Sequence, residues 1–472
     1  MLAATPYDYL KSIEAQEIEL GTIDLATSVA NVDGLYIYKN TTDDAEFMPV
    51  DRIASGFCKM VAEYYPIVVG RPSVGKNGKG VIVVDPDNLC MPDIAELSID
   101  LPAEHFFETR NSKVKGKDAV KFFNLRKFYR DSNVSRLPEA TYSRDNSSAI
   151  IRIIRFKDSP YVALHISLPH MLFDGTGATT LFNNWAECTR NLDDPEYKLQ
   201  APPVNDRKVV SDYFDTVTAI EPPHTKHFKE LGAESLMAVP PGSIAPLLIA
   251  TPDIPAFEEQ HLLHITPEKL EQLRQDVDKT QTTNLALAAL LTKCVLQADI
   301  QAFNSMPTWS YVMFPYDCRQ RANIPVAYSG NLSFSAIAPL ESQEVLDGSL
   351  KDIAQAIKVH SSNVSGEYAK STIHTIENEV GVLLQAGAIM CNSPNASYVG
   401  LSNLRYMPFY SIDFGYGSPE ILSCGLYIRE GVSRIFANRQ NGGIDLYMNI
   451  KDDLFEFLSK SNELLEYADV IY

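Results

Sequence analysis

Two neighbouring apolar runs followed by a helical segment constrain the fold of this 472-residue chain most strongly. The runs IIRIIRF (150–156) and YVALHISL (161–168) are short, rich in β-branched residues and separated by a turn, which predicts adjacent strands. Pro169 lacks the N–H that a strand ladder needs, so the second strand should end there. Residues 176–190 then carry apolar side chains at helical spacing. His170 is therefore expected in the turn where the chain leaves a sheet and enters a helix.

The rest of the chain alternates strand-like and helix-like segments, which is the pattern of a mixed α/β fold. Around 191–233 the periodicity stops and two proline pairs appear, which predicts a long connector. We expect an N-terminal domain at 1–195, a connector at 196–235 and a C-terminal domain at 236–472. Further strands are predicted at 35–38, 81–85, 261–265, 397–404 and 444–450, and helices at 50–65, from Thr266-Pro267 onward, at 284–298 and at 452–467.

Charge and cysteine usage limit the partners and the compartment. A net charge of −19 repels nucleic acid and anionic membranes. The N-terminus lacks the basic and apolar blocks of a signal peptide, and no window approaches the ~18 uninterrupted apolar residues of a membrane span. The seven cysteines form no CxxC motif, which favours a reducing compartment, so we expect a cytoplasmic protein. We also expect a monomer. In that compartment the glycosylation-like triplets at Asn146 and Asn331 are chance matches.

Two other patterns suggest chemistry that we do not expect. Gly70–Asn77 nearly matches a phosphate-binding loop, but it ends in asparagine instead of Ser or Thr and runs into a hairpin. The spacing of His224 and His227, and of His261 and His264, is compatible with metal ligation. Neither pair has a nearby carboxylate or cysteine to complete a ligand set, so surface or core histidine is the better interpretation. The sequence predicts no metal site.

Two short segments are candidates for a functional site. His170 is followed by Asp174 and Gly175, and a histidine at a strand end is well placed to act as an acid or base. The second segment is Asp413-Phe-Gly-Tyr-Gly417, whose two glycines indicate an unusual backbone path. It lacks the companion motifs of a protein kinase. By spacing alone, a structural turn is the simpler interpretation of either segment.

Together the two segments resemble the BAHD family of acyl-CoA-dependent acyltransferases, which combine His-x-x-x-Asp-Gly with Asp-Phe-Gly-Trp/Tyr-Gly. Three further stretches are similar to motifs of that family in order and spacing. They are Leu20–Asp24 (Leu-Ser-x-x-Asp), Tyr65–Arg71 (Tyr-Pro-x-x-x-Gly-Arg) and Asp317–Asn331 (Asp-x-Arg, then Pro, Tyr-x-Gly-Asn). Tyr416 replaces the usual plant Trp, and Ser402-Asn403-Leu404 replaces Thr-Ser-Trp, which indicates a divergent, fungal-type branch. The single histidine before x-x-x-Asp distinguishes the chain from peptide-synthetase condensation domains, which usually carry two.

The resemblance implies an α/β fold of α+β sandwich type. It consists of two similar chloramphenicol-acetyltransferase-like domains with a tunnel at their interface. A C-terminal segment near 413–435 would pack on the N-terminal domain. Acyl-CoA would be a co-substrate and not a bound cofactor, and it would meet a small-molecule acceptor at His170.

The resemblance also assigns roles to individual residues. His170 would be the general base, and Asp174 would pair with Arg319 to support the loop that carries it. Gly175 and the residues Asp413, Gly415 and Gly417 would be architectural. Ser402 and Asn403 are expected to contact the cofactor.

The activity expected from the resemblance is transfer of an acyl group, acetyl by preference, to a hydroxyl of a small natural product. No Gly-x-Ser-x-Gly nucleophile elbow occurs, which favours direct transfer without a covalent enzyme intermediate. Three alternatives stay open: an amine acceptor, a condensation-type enzyme that uses a carrier-protein thioester, and a non-catalytic relative that binds a hydrophobic ligand.

Overall fold

The structure is a computed structural model that describes residues 5–26, 31–76, 78–110, 119–134, 137, 149–218, 259–362, 364–374, 396–424 and 431–472. His224, His227, Asn146 and Cys391 lie outside the described residues. The strands are β1 Gln16–Glu19, β2 Asn31–Lys39, β3 Arg71–Val74, β4 Gly80–Val84, β5 Asp93–Ile99, β6 Phe107–Arg110, β7 Val120–Phe123, β8 Ile150–Phe156, β9 Tyr161–Pro169, β10 Gln260–Ile265, β11 Trp309–Asp317, β12 Ser333–Glu341, β13 Ala396–Asn403, β14 Ile421–Ser423, β15 Val432–Ala437, β16 Ile444–Asn449 and β17 Asp469–Val470.

The helices are α1 Thr22–Ala26, α2 Val50–Tyr64, α3 Leu125–Asp131, α4 Gly175–Arg190, α5 Lys208–Asp215, α6 Pro267–Asp278, α7 Thr283–Phe303, α8 Ser342–Asp347, α9 Leu350–Ser361, α10 Asp452–Leu458 and α11 Asn462–Tyr467. Residues 366–374 are also helical. Short 3₁₀ turns occur at Pro6–Ser12, Pro66–Val69, Ala103–Phe106 and Phe409–Ser411. All the strands and helices predicted from the sequence are present, with one exception near the C-terminus described below.

Two mixed sheets organise the chain. The N-terminal half forms a five-stranded sheet of order β14-β2-β9-β8-β5, and the C-terminal half forms a seven-stranded sheet of order β12-β11-β13-β15-β16-β10-β17. The late strand β14 pairs antiparallel with β2, so part of the C-terminal half crosses to the first sheet. The crossing is shorter than the predicted 413–435, because β15 already pairs with β13 and β16 in the second sheet.

Strand β9 is buried along its whole length, which explains its apolar composition. One face packs against α2 and α4, where Leu164 and Leu168 meet Phe57 and Trp185 in one core cluster. The other face joins a second cluster that includes Ala163 and several phenylalanines of the layer around α3. Helices therefore cover one side of the sheet, and the end of β9 is held rigidly where it leads into the turn at 170–174.

Helix α7 is the central element of the C-terminal core, and nearly all its residues from Leu285 to Ala298 are buried between the seven-stranded sheet and other helices. Within the described part of the chain, it is the one helix long and apolar enough to cross a bilayer. Because 61% of its apolar window is buried inside the protein, its environment is that of a core helix.

One prediction about local structure was wrong. The single helix expected at 452–467 is two helices, because the Ser461 hydroxyl accepts the N–H of Leu464 and starts α11 anew. The predicted connector contains one described helix, α5, whose Phe214 packs against Phe334 with ring centroids 6.0 Å apart. The rest of the connector, from 219 onward, falls outside the described residues.

Candidate active site

The turn that carries His170 connects the end of β9 to the start of α4. The backbone oxygen of His170 accepts the N–H of Phe173 at 3.3 Å, which closes the turn. Asp174 is the N-cap of α4, and its Oδ1 accepts the N–H of Gly177 at 2.9 Å. The spacing His-x-x-x-Asp thus corresponds to one tight turn followed by a helix cap. His170 itself is half-buried.

A buried ion pair joins this turn to the C-terminal half. Arg319 donates from Nη1 to Asp174 Oδ2 at 2.9 Å and from Nη2 to Asp174 Oδ1 at 2.8 Å, which is a bidentate arrangement. The two residues are 1% and 2% exposed. The N–H of Leu332 also donates to Asp174 Oδ2, at 2.9 Å. The carboxylate is fully engaged in these contacts and in the helix cap, so it braces the turn.

The remaining donors of Arg319 hold the 328–332 segment. Its Nε donates to the Tyr328 carbonyl at 3.0 Å, Nη2 to the Gly330 carbonyl at 2.7 Å, and Nη1 to Asp317 Oδ1 at 3.0 Å. Burial opposes the charge on the guanidinium, but Asp174 outweighs it, and the pKa of Arg319 is raised. All five N–H groups of this side chain therefore have acceptors.

Asn331 lies directly against His170. Its Oδ1 is 3.2 Å from His170 Nδ1, and its Nδ2 donates to the His170 backbone oxygen at 2.9 Å. The same Nδ2 and the Asn331 backbone N–H donate to Asp24 Oδ1, at 2.9 and 3.1 Å. Asn331 is buried, which is consistent with its glycosylation-like triplet being a chance match. Asn331 and Asp24 each belong to a family-like motif, but the sequence indicated no contact between Asn331 and His170.

Arg207 is a site residue that the sequence analysis missed. It is buried, and its Nε lies 3.4 Å from Asp24 Oδ2. Its Nη2 donates to the carbonyl of Leu172, inside the turn that carries His170, at 2.7 Å, and its Nη1 donates to Ser329 Oγ at 3.3 Å. A second arginine thus braces the turn from the connector. The only local signal was the amphipathic run that begins just after it and forms α5.

The glycine that permits close packing is Gly177 and not Gly175. A Cβ on Gly177 would lie 2.0 Å from the Ser329 carbonyl oxygen, so the 328–332 segment requires glycine there. A Cβ on Gly175 would meet only the flexible end of Met407, at 2.7 Å from Cε. The close approach of α4 to neighbouring backbone is therefore at Gly177, where the helix meets the 328–332 segment.

Ser402 and Asn403 end β13 near the start of α4. Asn403 Nδ2 donates to Asn284 Oδ1 at 3.1 Å. The next residue, Leu404, lies 3.6 Å from where a Cβ on Gly175 would be. The structure thus brings this segment beside the turn that carries His170.

The Asp-Phe-Gly-Tyr-Gly segment lies at the other end of α4. Asp413 Oδ1 accepts the N–H groups of Gly415 (2.8 Å) and Gly417 (2.9 Å), and both glycines have positive φ, +98° and +91°. Phe414 is buried against Trp185, and the Asp413 carbonyl accepts a hydrogen bond from Arg190, the last residue of α4. A 16-residue helix is about 24 Å long, so these residues are far from His170.

A groove of about 1040 Å³ opens beside Asn331 and Asp24. It is bordered by β1, α1, the start of α5 and the helical stretch 366–374. It carries both charge signs. The basic side chains are Lys79, Arg207, Lys208, Lys370 and His374, and the acidic ones are Glu17, Glu19, Asp24, Asp206, Asp212 and Asp215.

His261 and His264, the pair spaced like metal ligands that lies within the described residues, contact other side chains of the protein. His261 stacks on Phe455 with ring centroids 3.7 Å apart, and His264 Nδ1 lies 2.7 Å from Asp445 Oδ1. Within the described ranges, no group of three or more His, Cys, Asp or Glu is arranged to hold a metal ion.

Comparisons with known proteins agree in one family. The Transferase family model matches residues 136–465, which is more than half of the chain. Hydroxycinnamoyltransferase 2 from Oryza sativa subsp. japonica is 21% identical and covers 89% of each chain. The hydroxycinnamoyl-CoA:5-hydroxyanthranilate N-hydroxycinnamoyltransferase from Avena sativa is 23% identical and covers 93% of each.

Solved structures share the fold. TRI101 from F. sporotrichioides, solved with coenzyme A and T-2, superposes with a TM-score of 0.69 at 16% identity over 97% of this chain and 100% of its own. The first condensation domain of the CDA synthetase gives 0.58 at 13% identity, over 94% and 95%. The predicted α/β, chloramphenicol-acetyltransferase-like fold is confirmed. With the family match over most of its length, this chain is a member of the BAHD acyltransferase family.

Proposed function

We propose that this acyltransferase moves an acyl group, acetyl by preference, from acyl-CoA to a hydroxyl of a small natural product, with His170 as the general base. The observation that carries the proposal is the bracing of His170. Its turn is held by the buried Asp174–Arg319 pair and its ring contacts Asn331. An imidazole titrates near neutrality, so it can accept a proton and return it.

The reaction needs one proton to move twice. As the acceptor oxygen attacks the thioester carbonyl, its proton passes to the imidazole of His170. The tetrahedral intermediate then collapses, the carbon–sulfur bond breaks, and the departing CoA sulfur takes the proton back from the imidazolium. The acyl–oxygen bond is the one bond formed between the two substrates, so no group on the protein needs to be acylated.

The state of the thiol adjacent to the Asp174–Arg319 pair supports direct transfer. Cys318 lies next to Arg319, and burial raises the pKa of its thiol to about 11. Because the thiolate is the reactive form, a thiol with so high a pKa is a poor nucleophile at neutral pH.

The supporting roles divide between the two ends of α4. Asp174, Arg319 and Gly175 would hold the turn, which is positioning and not proton transfer. Ser402 and Asn403 would contact the CoA co-substrate, since Leu404, the next residue, lies beside Gly175 at the end of that turn. Asp413, Gly415 and Gly417 would be architectural, because their contacts are at the far end of the helix.

The donor and the acceptor rest on different support. TRI101 was solved with coenzyme A, which supports a CoA thioester as donor. An amine acceptor is the second candidate, because the Avena sativa relative is an N-hydroxycinnamoyltransferase. A carrier-protein thioester is the third, because a condensation domain shares the fold. The single histidine before x-x-x-Asp favours the CoA donor.

One experiment separates these activities. The full chain is incubated with acetyl-CoA or with an acetylated carrier protein, each with matched alcohol and amine acceptors, and products are identified by mass spectrometry. We expect acylated alcohol from acetyl-CoA, and none from His170→Ala. Product from the carrier protein alone would overturn the donor assignment, and product from the amine alone would overturn the acceptor assignment. No product from any donor would favour a non-catalytic binding protein.

The compartment and the other partners stay predictions. A cytoplasmic location is supported by the six described cysteines, which are all buried free thiols. A monomer, and the absence of nucleic-acid and membrane partners, are supported by the net charge of −19 alone.

A further inference from the structure

We infer that Asn331 and Asp24 are positioning residues that keep the proton of neutral His170 on Nδ1, so that Nε2 carries the lone pair. This inference deepens the proposed function and rests on it for the kinetic consequence only. The position of the proton is a property of the protein without substrate, and it can be measured separately.

The orientation of the Asn331 amide follows from its neighbours. One neighbour is the His170 backbone oxygen, 2.9 Å away, which can only accept a hydrogen bond. The other is Asp24 Oδ1, also 2.9 Å away, a carboxylate oxygen. The NH₂ end of the amide must face these two acceptors, because the opposite orientation would bring oxygen against oxygen.

The amide oxygen therefore faces the His170 ring. It lies 3.2 Å from Nδ1 and can only accept, so the ring nitrogen must donate. A neutral imidazole carries one N–H, and a proton on Nδ1 leaves the lone pair on Nε2. The geometry thus selects one of the two tautomers.

Asp24 holds the amide in this orientation. Its Oδ1 accepts both the backbone and the side-chain N–H of Asn331, and its Oδ2 accepts the N–H of Gly21 at 2.9 Å. Arg207 Nε lies 3.4 Å from Oδ2 and balances the buried charge. Since Asp24 is 1% exposed, water cannot replace these contacts.

The consequence concerns the proton transfer. The base can act only while the nitrogen that faces the acceptor is unprotonated, so a mixed tautomer population lowers the active fraction. Partners that orient a working histidine in metal sites are worth about 10–100-fold in activity. We expect a comparable loss in kcat here, while KM for acyl-CoA changes by no more than about threefold, because these groups orient the base and do not bind the donor.

The test uses the full chain labelled with ¹⁵N-histidine. The protein has nine histidines, and the His170 signals are found by difference from His170→Gln. At a pH above the ordinary histidine value of about 6.5, we expect a protonated Nδ1 and an unprotonated Nε2. In Asn331→Leu and in Asp24→Asn the signals should shift towards the Nε2–H tautomer. The control is Asp212→Asn, an exposed aspartate on α5, which should leave the His170 signals unchanged.

The outcomes separate this inference from the proposed function. A wild-type protein whose His170 carries its proton on Nε2 would overturn the inference, whatever the activity. The inference would also be overturned if the His170 signals in Asp24→Asn and Asn331→Leu were those of the wild type. If Asn331→Leu does not fold, Asp24→Asn alone provides this test. If the tautomer shifts as expected but His170→Ala keeps full activity, the tautomer assignment stands and the proposed function fails.

Discussion

Replacing Asp174 by alanine should lower the free energy of unfolding by about 3–5 kcal/mol, the usual cost of removing one partner of a buried ion pair. The change leaves one N–H on each Nη of Arg319 without an acceptor. It also removes the cap of α4 from Gly177, worth about 1 kcal/mol of that total, and the acceptor of the Leu332 N–H. Asp317 remains 3.0 Å from Arg319, but it is 40% exposed, so water screens much of its charge.

The measurement is urea unfolding of the full chain followed by tryptophan fluorescence. Trp185 is buried on α4 and reports on the helix that Asp174 caps. A matched control is Glu456→Ala, which removes an ion pair with Lys460 whose side chains are 67% and 66% exposed. Water and salt screen such an exposed surface pair, so this variant should unfold nearly like the wild type.

The activity of the same variant decides the interpretation. We expect Asp174→Ala to lose activity and stability together, because both depend on the turn that carries His170. A variant that unfolds within about 1 kcal/mol of the wild type and is nevertheless inactive would refute the structural role, since the carboxylate would then act in the chemistry.

Four further outcomes are expected. His170→Ala should lower kcat by ~10²–10⁴-fold with an unchanged melting temperature. The control His105→Ala, at a position remote from the turn, should keep full activity. Near-normal activity of His170→Ala would contradict the general-base assignment. Gly177→Ala should destabilise the protein by more than about 2 kcal/mol and Gly175→Ala by less than about 1, because only the new Cβ at 177 would clash with backbone atoms. Equal free energies of unfolding for the two variants would contradict this prediction. Free CoA at millimolar concentration should raise the melting temperature in calorimetry more than pantetheine does, since CoA binds the folded state alone. A melting temperature that CoA does not change would argue for a carrier-protein donor. Burial lowers the pKa of His165 to about 3, so at acidic pH the unfolded chain binds a proton on this histidine that the folded protein does not bind. The free energy of unfolding should therefore fall as the pH drops below about 6.5. His165→Gln should weaken that pH dependence in urea unfolding, and an unchanged dependence would contradict this prediction.

The two braces at the turn also explain why the connector matters to the site. Arg207 comes from the connector, yet it donates to the carbonyl of Leu172, inside the turn. Arg319 reaches the same turn from the C-terminal half through Asp174. The orientation of His170 therefore depends on both halves of the chain being correctly packed, and an isolated N-terminal half would lack both contacts.

Local structure was largely determined by the sequence. The run that forms β9, its stop at Pro169 and the helix that follows were predictable, because side-chain periodicity and the missing proline N–H act over a few residues. The buried helix α7 was predictable for the same reason, since apolar side chains on all faces leave no side for water. The helix break at Ser461 was not predictable, because a serine can either cap a new helix with its hydroxyl or sit in the interior of a continuous one.

The site itself was decided by tertiary structure. Motif resemblance suggested the pairing of Arg319 with Asp174, which lie 145 residues apart, but not that all five donors of the arginine are used. The contact of Asn331 with His170 spans 161 residues and its contact with Asp24 spans 307. No local pattern encodes such distances, because they exist only once two sheets and a connector have packed around one turn. The residue types could be read along the chain, whereas the hydrogen bonds that orient His170 depend on which backbone oxygens and carboxylates the fold brings within about 3 Å of it.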